Sequence, residues 1–405
     1  MDEQSILYEI WLAQTCKHEP DKIARTIENL GNPKEVFSSD FYDERFRKSV
    51  GLSNVLTVKH NLDDAKRFLD NCRKNNINII SIEDDEYPER LRHINLPPRL
   101  LYSIGKLPDL NKLLCITVVG TRNCSKDGRK IAEDISEKLA ESGVGIVSGM
   151  ALGIDGAAHS GAMKAGGTTI AVLAGGVDLV YPPEHNKLYK FIQNYGAVIS
   201  ERPPGVRGRG YFYQQRNRIM VGLSQGVLIV EGEKSSGTAI TARLATESNR
   251  DVYAIPGKPT ELVAGLPNEL IRDGVKLVTD PLDILEEYVG IYPEMLEYGM
   301  SIKGKPLVGK PLDKKGTVKE TNVSYEDELL VNDSEFEKFL EKEIFNDNER
   351  RILRYLYTSK EKVYFDDIVD NCGIDAGTLG SMIIILQMKK AVKQDAGGQF
   401  ALNIE

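Results

Sequence analysis

Apolar residues in the middle of the chain follow two alternating periods. Short runs rich in β-branched residues occupy 115–119, 144–147, 168–173, 197–199, 227–230 and 252–255. Between these runs, apolar positions recur with helical spacing over 128–141, 155–165, 184–194, 214–223 and 238–248. Alternation of strands and helices favours a parallel sheet covered on both faces, because each crossover helix packs against the sheet. The pattern predicts an α/β fold with an extended Rossmann-like core over residues 76–289.

Helical spacing precedes this core. Residues 1–75 are predicted to form a small helical domain of the SAM-like or helix-hairpin-helix kind. Helix-hairpin-helix modules contact DNA, whereas packing or partner contact is the commoner role of such a bundle. A strand is predicted at 77–82, and the acidic and proline-containing residues 83–105 predict a passage between domains. After the core, residues 290–340 are charged and poor in large apolar side chains, which predicts a flexible linker.

The last part of the chain, 341–405, shows three helical periods followed by a hairpin pattern, which predicts a winged helix. A recognition helix enters a DNA groove by its N-terminal end, and that end, 375–381, carries no cation here. We therefore expect a protein-contact or auxiliary module. The alternative is weak duplex contact through Lys389, Lys390 and Lys393.

Glycine-rich turns follow four of the predicted strands, at 120–122, 148–155, 174–178 and 231–238. In a parallel sheet, ligands bind beyond the carboxyl ends of the strands. Small residues there let backbone N–H groups approach an anion, and helix dipoles point the same way, so a phosphate-binding rim is predicted. A P-loop is not indicated, because Pro259 stands where Ser or Thr would bind magnesium. No glycine fingerprint for a dinucleotide follows a strand either, and we predict no cofactor.

The stretch 202–218, RPPGVRGRGYFYQQRNR, contains five arginines and three aromatic residues but no acid. The whole chain is acidic, with 60 Asp and Glu against 52 Lys and Arg and a formal charge of -8. Any nucleic-acid site must then be a local patch. Guanidinium groups bind phosphates and flat rings stack on bases, which indicates single-stranded nucleic acid. On spacing alone, a solvated arginine loop anchored by its aromatic residues is an equal alternative.

Cysteine, histidine and hydropathy patterns exclude several classes of protein. The five cysteines are scattered and form no CxxC pair, and the five histidines show no ligand spacing. We predict neither a disulfide framework nor a metal site. No apolar run approaches the roughly eighteen residues of a membrane span, and no basic region precedes the first apolar residues. A cytoplasmic protein without membrane contact is expected.

Several ordered motifs carry a resemblance to a known family. They are VVGTR (118–122), SGMALGIDGAAH (148–159), TIAVLAGGVDLVYPPEHN (169–186), SE (200–201), RNRIM (216–220), SSGTAITARLA (235–245) and AIPG (254–257). This set resembles the DNA-processing protein A (DprA/Smf) family. The resemblance implies a helical domain, a Rossmann-like core and a winged helix, and non-catalytic binding of single-stranded DNA. It further implies delivery of that DNA to RecA for recombination in natural transformation, and a homodimer.

Most candidate DNA-binding residues come from these motifs. The resemblance assigns DNA contact to Arg122, Ser148, Gly149, Gly153, Arg216, Asn217, Arg218, Ser236, Gly237 and Thr238. Charge and aromatic character add Arg207, Arg209, Tyr213 and Lys234. Leu152 departs from the family, since many members carry a DNA-contacting arginine there, and Arg207 and Arg209 are expected to substitute for it. Gln214 replaces the usual proline, with Tyr213 in the phenylalanine position.

Some of these side chains also have structural interpretations. Arg122 could pair with Glu201 or Asp155, and one of Arg216 and Arg218 is expected to be structural because they lie two apart on a helix. Asp155 is predicted to be a helix N-cap, and His159 is predicted to be structural.

An enzyme is the competing hypothesis. LOG-type nucleotide phosphoribohydrolases have a similar architecture, and their PGGxGTxxE motif supplies a catalytic glutamate. In this chain, Gly237 and Thr238 are followed by Thr241, which cannot act as that acid or base. No catalytic residue is predicted. A protein-binding scaffold is the third alternative that the sequence leaves open.

Overall fold

The computed structural model describes residues 2–40, 44–51 and 60–292, and selected positions from 345 to 403. The chain forms two compact units, Met1–Gly309 and Lys310–Glu405, and each is described by itself. Most of the predicted linker, 293–340, lies outside the described residues.

Helices form the N-terminal part of the first unit. They are α1 Glu3–Thr15, α2 Pro20–Leu30, α3 Pro33–Ser38, α4 Glu44–Val50 and α5 Asp63–Lys74. Local sequence fixes their starts: the Asp2 side chain accepts a hydrogen bond from the Ser5 N–H at 2.8 Å, and Asn32 and Glu35 form a reciprocal capping box before α3. The apolar faces of these helices pack around Trp11 and join, in one continuous core, the sheet residue Tyr102.

A nine-stranded sheet follows, with the order β1-β2-β6-β5-β4-β3-β7-β8-β9. Its strands are β1 Asn78–Ser81, β2 Leu100–Gly105, β3 Cys115–Val119, β4 Gly145–Ser148, β5 Thr169–Val172, β6 Gly196–Ser200, β7 Gly226–Ile229, β8 Asp251–Ala254 and β9 Lys276–Leu277. β2 pairs antiparallel with β1 and β6, and all pairings from β6 to β9 are parallel. The predicted α/β class with a mainly parallel sheet is confirmed.

One expectation for this region is wrong. Residues 100–105 are predicted to belong to a passage between domains, yet they form β2 inside the sheet. Leu100, Leu101 and Tyr102 are buried there between β1 and β6. The prolines at 97 and 98 hid this strand, because they mark a turn and the apolar run begins directly after them.

Helices cover both faces of the sheet. They are α6 Glu89–Arg92, α7 Lys126–Glu141, α8 Ile154–Lys164, α9 Asn186–Tyr195, α10 Gly210–Leu223, α11 Gly237–Glu247, α12 Gly265–Arg272 and α13 Leu282–Leu285. One apolar cluster joins α7 and α8 to Val118 and its neighbours, and another joins α10 and α11 to Val119 and its neighbours. Burial on both faces explains why the strands appear in the sequence as continuous apolar runs.

The strand order reverses between β3 and β7, since β4 to β6 lie on one side of β3 and β7 to β9 on the other. Ligands of open α/β sheets bind at the carboxyl edge beside such a reversal. The glycine-rich turns predicted from sequence all lie at this edge, because they follow the ends of parallel strands.

In the second unit, the described residues include the helix α14 Asp347–Ser359 and an antiparallel hairpin of β10 Val392–Gln394 and β11 Phe400–Leu402. Buried residues from these elements share one core. The Lys389 ammonium group lies 3.0 Å from the Glu349 carboxylate and 4.9 Å from the Phe345 ring centre. Lys390 and most of 375–381 lie outside the described residues, so the winged helix and its role stay predictions. No helix in the described part of the chain is long and apolar enough to cross a membrane.

Candidate nucleic-acid interface

The exposed arginines of the basic stretch lie on a segment that is fastened to the turn after β5. The Gly176 N–H donates to the Val206 carbonyl at 2.8 Å, and the Gly205 N–H donates to the Asp178 carboxylate at 2.9 Å. A Cβ at Gly175 would lie 2.8 Å from the Gly208 nitrogen, so only glycine allows this approach. Arg207 and Arg209 flank Gly208, and both are exposed. Neither has a carboxylate within 4 Å among the residues that the structure describes.

Aromatic rings lie beside Arg122 and beside the segment that carries Arg207 and Arg209, since a Cβ at Gly208 would lie 3.2 Å from the Tyr213 hydroxyl. The Arg122 guanidinium lies 5.3 Å from the centre of the Tyr213 ring, and the centre of the Tyr181 ring lies 6.3 Å from that of Tyr213. Tyr181 and Tyr211 are 59% and 51% exposed, and Tyr211 lies 4.7 Å from the Phe212 ring. Three separate strand ends thus contribute to one surface. We call this the basic-aromatic surface, and it comprises Arg122, Tyr181, Arg207, Arg209, Tyr211 and Tyr213.

Helix α10 begins earlier than the sequence predicts. The expected helix starts at residue 214, whereas the structure has α10 from Gly210, so Tyr211, Phe212 and Tyr213 form its first turn. Gln214 keeps a backbone N–H that the family's usual proline lacks, and this donor permits an additional helical turn. The aromatic residues therefore project from a helix and not from a loop.

Arg216 lies inside the protein. It is 7% exposed, and its Nη1 donates to the carbonyls of Gly149 at 2.7 Å and Val172 at 2.5 Å. Burial lowers the pKa of Arg216, and nearby Asp155 opposes that shift. A Cβ at Gly149 would lie 1.9 Å from Arg216 Nη1, so glycine is needed where the guanidinium passes. Arg216 therefore ties the carboxyl ends of β4 and β5 to α10.

Arg218 and Asn217 also have internal partners. Arg218 forms an ion pair with Glu201 at the end of β6, and both side chains are nearly buried. Asn217 donates to the Thr241 hydroxyl at 2.9 Å, which links α10 to α11. Sequence spacing predicts that one of the two arginines of RNR is structural, whereas both are enclosed. Glu201 is taken by Arg218, and it is not the partner of Arg122.

Arg202 is a third enclosed arginine of the stretch. It is 3% exposed, stacks 4.1 Å above the Phe212 ring and donates to the His18 carbonyl at 2.6 Å. His18 follows α1 and adopts a left-handed backbone with φ of 54°. Arg202 therefore connects the N-terminal helices to the first turn of α10.

The turn after β4 is held in one shape by buried contacts. The Ser148 hydroxyl donates to the Val118 carbonyl at 2.7 Å, and His185 Nδ1 donates to the carbonyl of Met150, whose φ is 56°. Gly153 has a φ of 80°, and a Cβ there would lie 2.4 Å from the Thr121 carbonyl. Ser148, Gly149 and Gly153 are thus buried beneath the turn 120–122.

Two other residues near this turn were assigned from sequence. The N-cap of α8 is Gly153, so the expectation that Asp155 is the N-cap is wrong. Asp155 lies in the first turn, and its carboxylate accepts from the Ala151 N–H at 3.3 Å. Burial raises its pKa, and Arg216 opposes the rise. His159 is buried with Nδ1 2.6 Å from the Thr169 hydroxyl, in keeping with the structural role predicted for it.

Sequence reasoning missed Glu231. Its backbone carbonyl accepts from the Thr121 N–H at 2.9 Å, and its carboxylate accepts from the Ser125 N–H at 2.9 Å and the Ser125 hydroxyl at 2.5 Å. Gly128 leaves room for that carboxylate, since a Cβ would lie 2.2 Å from it. Glu231 therefore holds both ends of the segment that carries Arg122. An acid directly after a buried strand was the available signal.

The turn before α11 completes the edge. Ser236 is the N-cap of α11, and its hydroxyl oxygen is buried without a hydrogen-bond partner in the described part of the chain. Thr238 is buried, whereas Gly237 is exposed and has open space where a Cβ would stand. Lys234 is exposed and lies 3.2 Å from the Glu269 carboxylate. This rim therefore offers backbone N–H groups and one partly paired cation.

Comparison with known proteins decides the family. The sequence model of the DNA recombination-mediator protein A family matches residues 78–289, which is more than half of the chain. The chain belongs to the DNA recombination-mediator protein A family. The matched residues comprise the whole sheet and every part of the candidate interface.

Members of the DNA recombination-mediator protein A family are similar to this chain in sequence and structure. The DNA processing protein DprA of Bacillus subtilis is 39% identical over 221 residues, which are 55% of this chain and 74% of that protein. The DprA of Streptococcus pneumoniae is 43% identical over 208 residues, which are 51% of this chain and 73% of that protein. The X-ray structure of the S. pneumoniae protein superposes with a TM-score of 0.59 at 34% identity, covering 69% of this chain and 97% of that one.

Proposed function

We propose that the Rossmann-like core binds single-stranded DNA at the basic-aromatic surface, without catalysis. The observation that carries this proposal is the exposure of Arg122, Arg207 and Arg209 without carboxylate partners among the described residues, next to exposed tyrosine rings. Unpaired guanidinium groups bind phosphates, and exposed rings stack on bases. In duplex DNA the base faces are covered by their neighbours, so the rings favour a single strand.

The acidic composition of the chain makes the binding local. With a formal charge of -8, the protein repels DNA except where cations are concentrated. Three phosphate contacts on a single strand would give a slope of about -2 in log affinity against log salt. A modest salt slope with little base preference is therefore expected.

The candidate residues divide into two roles. One group is buried or hydrogen-bonded within the protein and shapes the surface; it comprises Ser148, Gly149, Gly153, Arg216, Asn217, Arg218 and Thr238. Arg122, Arg207, Arg209 and Tyr213 belong to the basic-aromatic surface, and we assign DNA contact to that surface as a whole. Lys234, Ser236 and Gly237 form a second contact at the start of α11, where backbone N–H groups and the helix dipole favour a phosphate.

The enzyme alternative receives little support from α11. Thr241 occupies the position that a catalytic glutamate would need, and its hydroxyl is engaged with Asn217 at 2.9 Å and the Gly237 carbonyl at 3.3 Å. A group with two internal hydrogen bonds is poorly placed to move a proton on a substrate. Binding without catalysis is the simpler function for this edge.

Delivery of the bound strand to RecA during recombination of incoming DNA, and action as a homodimer, are proposals that rest on the family. Sedimentation with and without an oligonucleotide tests the dimer, and RecA filament assembly on a coated strand tests delivery. We propose an auxiliary or protein-contact role for the C-terminal unit, because Lys389 is engaged by Glu349. Truncation after residue 334 should leave single-strand affinity nearly unchanged.

Charge reversal tests the main proposal. The variant R207E/R209E of the full chain should lose most of its affinity for a labelled single-stranded oligonucleotide and flatten its salt slope, as measured by fluorescence anisotropy at several salt concentrations. Duplex DNA of the same length should bind the unchanged protein more weakly.

A matched control has the same change in net charge at the opposite edge of the sheet. K112E/K138E reverses two exposed lysines, one before β3 and one near the end of α7. This control should bind as the unchanged protein does. Equal loss in both variants would attribute binding to net charge and contradict the assigned surface.

A further inference from the structure

Tyr213 occupies the phenylalanine position of the family motif, but its ring is largely engaged. The Arg122 guanidinium lies 5.3 Å from its centre, Tyr181 lies 6.3 Å away, and Tyr213 itself is only partly exposed. A Cβ at Gly208 would lie 3.2 Å from the Tyr213 hydroxyl, so the segment 202–209 also borders the ring. The Tyr213 ring is therefore less open to a nucleobase than the exposed ring of Tyr181.

Tyr181 has the opposite environment. It is 59% exposed, and its ring is inclined by 56° to Tyr213, so the two rings do not stack on each other. The backbone around it is anchored, because Pro182 is buried and its carbonyl accepts from the His185 N–H at 3.1 Å. His185 in turn holds the Met150 carbonyl at 2.9 Å. Because the backbone is already fixed, binding of a base restricts only the side-chain torsions of Tyr181.

We propose that Tyr181 is the base-stacking residue of the basic-aromatic surface, and that Tyr213 supports it and positions Arg122. This inference rests on the proposed single-strand binding. A base on the free face of Tyr181 leaves its phosphate free to approach Arg122 across the Tyr213 ring.

The test separates bases from phosphates. Fluorescence anisotropy compares two labelled strands of equal length and charge, an oligothymidylate and an abasic tract, on the full chain. Y181A should weaken binding of the oligothymidylate by about 5- to 150-fold, the range for loss of one base-aromatic stack. Binding of the abasic tract should not change. Y181F retains the ring and should bind both strands as the unchanged protein does.

A control variant makes the outcome decisive. F191A removes another exposed aromatic ring, on α9, and should leave both affinities unchanged. Equal weakening of both strands by Y181A, or no weakening of either, rejects the stacking role and leaves the proposed function standing. If the unchanged protein fails to bind the oligothymidylate, the proposed function itself fails.

Discussion

The two arginines directly before α10 and the two within it have the same chemistry and opposite environments. Arg207 and Arg209 extend into solvent, whereas Arg216 and Arg218 are enclosed by strand ends and a carboxylate. The difference arises from what lies beneath each segment: the first rests on the glycines after β5, and the second begins where α10 packs against the sheet. A dense arginine motif therefore mixes residues that bind a partner with residues that build the surface. The effect of charge reversal at Arg207 and Arg209 on DNA affinity tests the first role. The effect of replacing Arg216 on the free energy of unfolding tests the second.

Removal of Arg216 should have the largest effect on folding. R216M leaves the buried carbonyls of Gly149 and Val172 without a donor and Asp155 without a nearby cation. The expected loss in the free energy of unfolding is about 3–5 kcal/mol. Urea denaturation followed by circular dichroism measures it. R207M is the matched control, and it should change stability by less than about 0.5 kcal/mol because Arg207 is exposed. Similar free energies of unfolding for R216M and R207M would contradict the division into enclosed, structural arginines and exposed ones.

The sequence predicts the architecture of the core well and the roles of single arginines poorly. The apolar strand runs predict the α/β class, and the glycine-rich turns after them predict the binding edge, because both patterns are local in the sequence. The environment of Arg216 depends on carbonyls 67 and 44 residues away in sequence, which no local pattern reports. Glu231 was missed because its role depends on Ser125, which lies 106 residues away in sequence. The strand β2 was missed for a local reason, since the prolines at 97 and 98 indicated a turn.

Acidification should destabilise the folded protein through a buried histidine. Burial lowers the pKa of His159 from 6.5 to about 3, so the folded state keeps it neutral while the unfolded state protonates it near 6.5. Stability from this group is present above pH 6.5 and is lost as the pH falls towards 3. Between pH 7 and pH 5 the loss is about 2 kcal/mol.

Urea denaturation of the unchanged chain and of H159Q at pH 7 and at pH 5 measures the contribution of His159 to the free energy of unfolding. The free energy of unfolding of H159Q should depend less on pH than that of the unchanged chain. H93Q replaces an exposed histidine, and its free energy of unfolding should depend on pH as that of the unchanged chain does. Equal slopes for H159Q and the unchanged chain would mean that His159 is not a source of the acid sensitivity.

The smallest effect is expected at Lys234, which lies between the two environments: it is exposed, yet it pairs with Glu269 at 3.2 Å. The side chains are 59% and 32% exposed, so the pair contributes at most about 1 kcal/mol to stability. If Lys234 contacts a phosphate, Glu269 competes with the DNA for it. K234A should then reduce the salt slope of single-strand binding by about 0.7, whereas E269Q should raise the affinity because it frees the ammonium group. If K234A lowers the affinity, E269Q raises it and neither variant changes thermal stability, Lys234 belongs with Arg207 and Arg209 among the residues that contact DNA. Loss of affinity in both would show that the ion pair holds the turn before α11 and that Lys234 belongs with the structural residues.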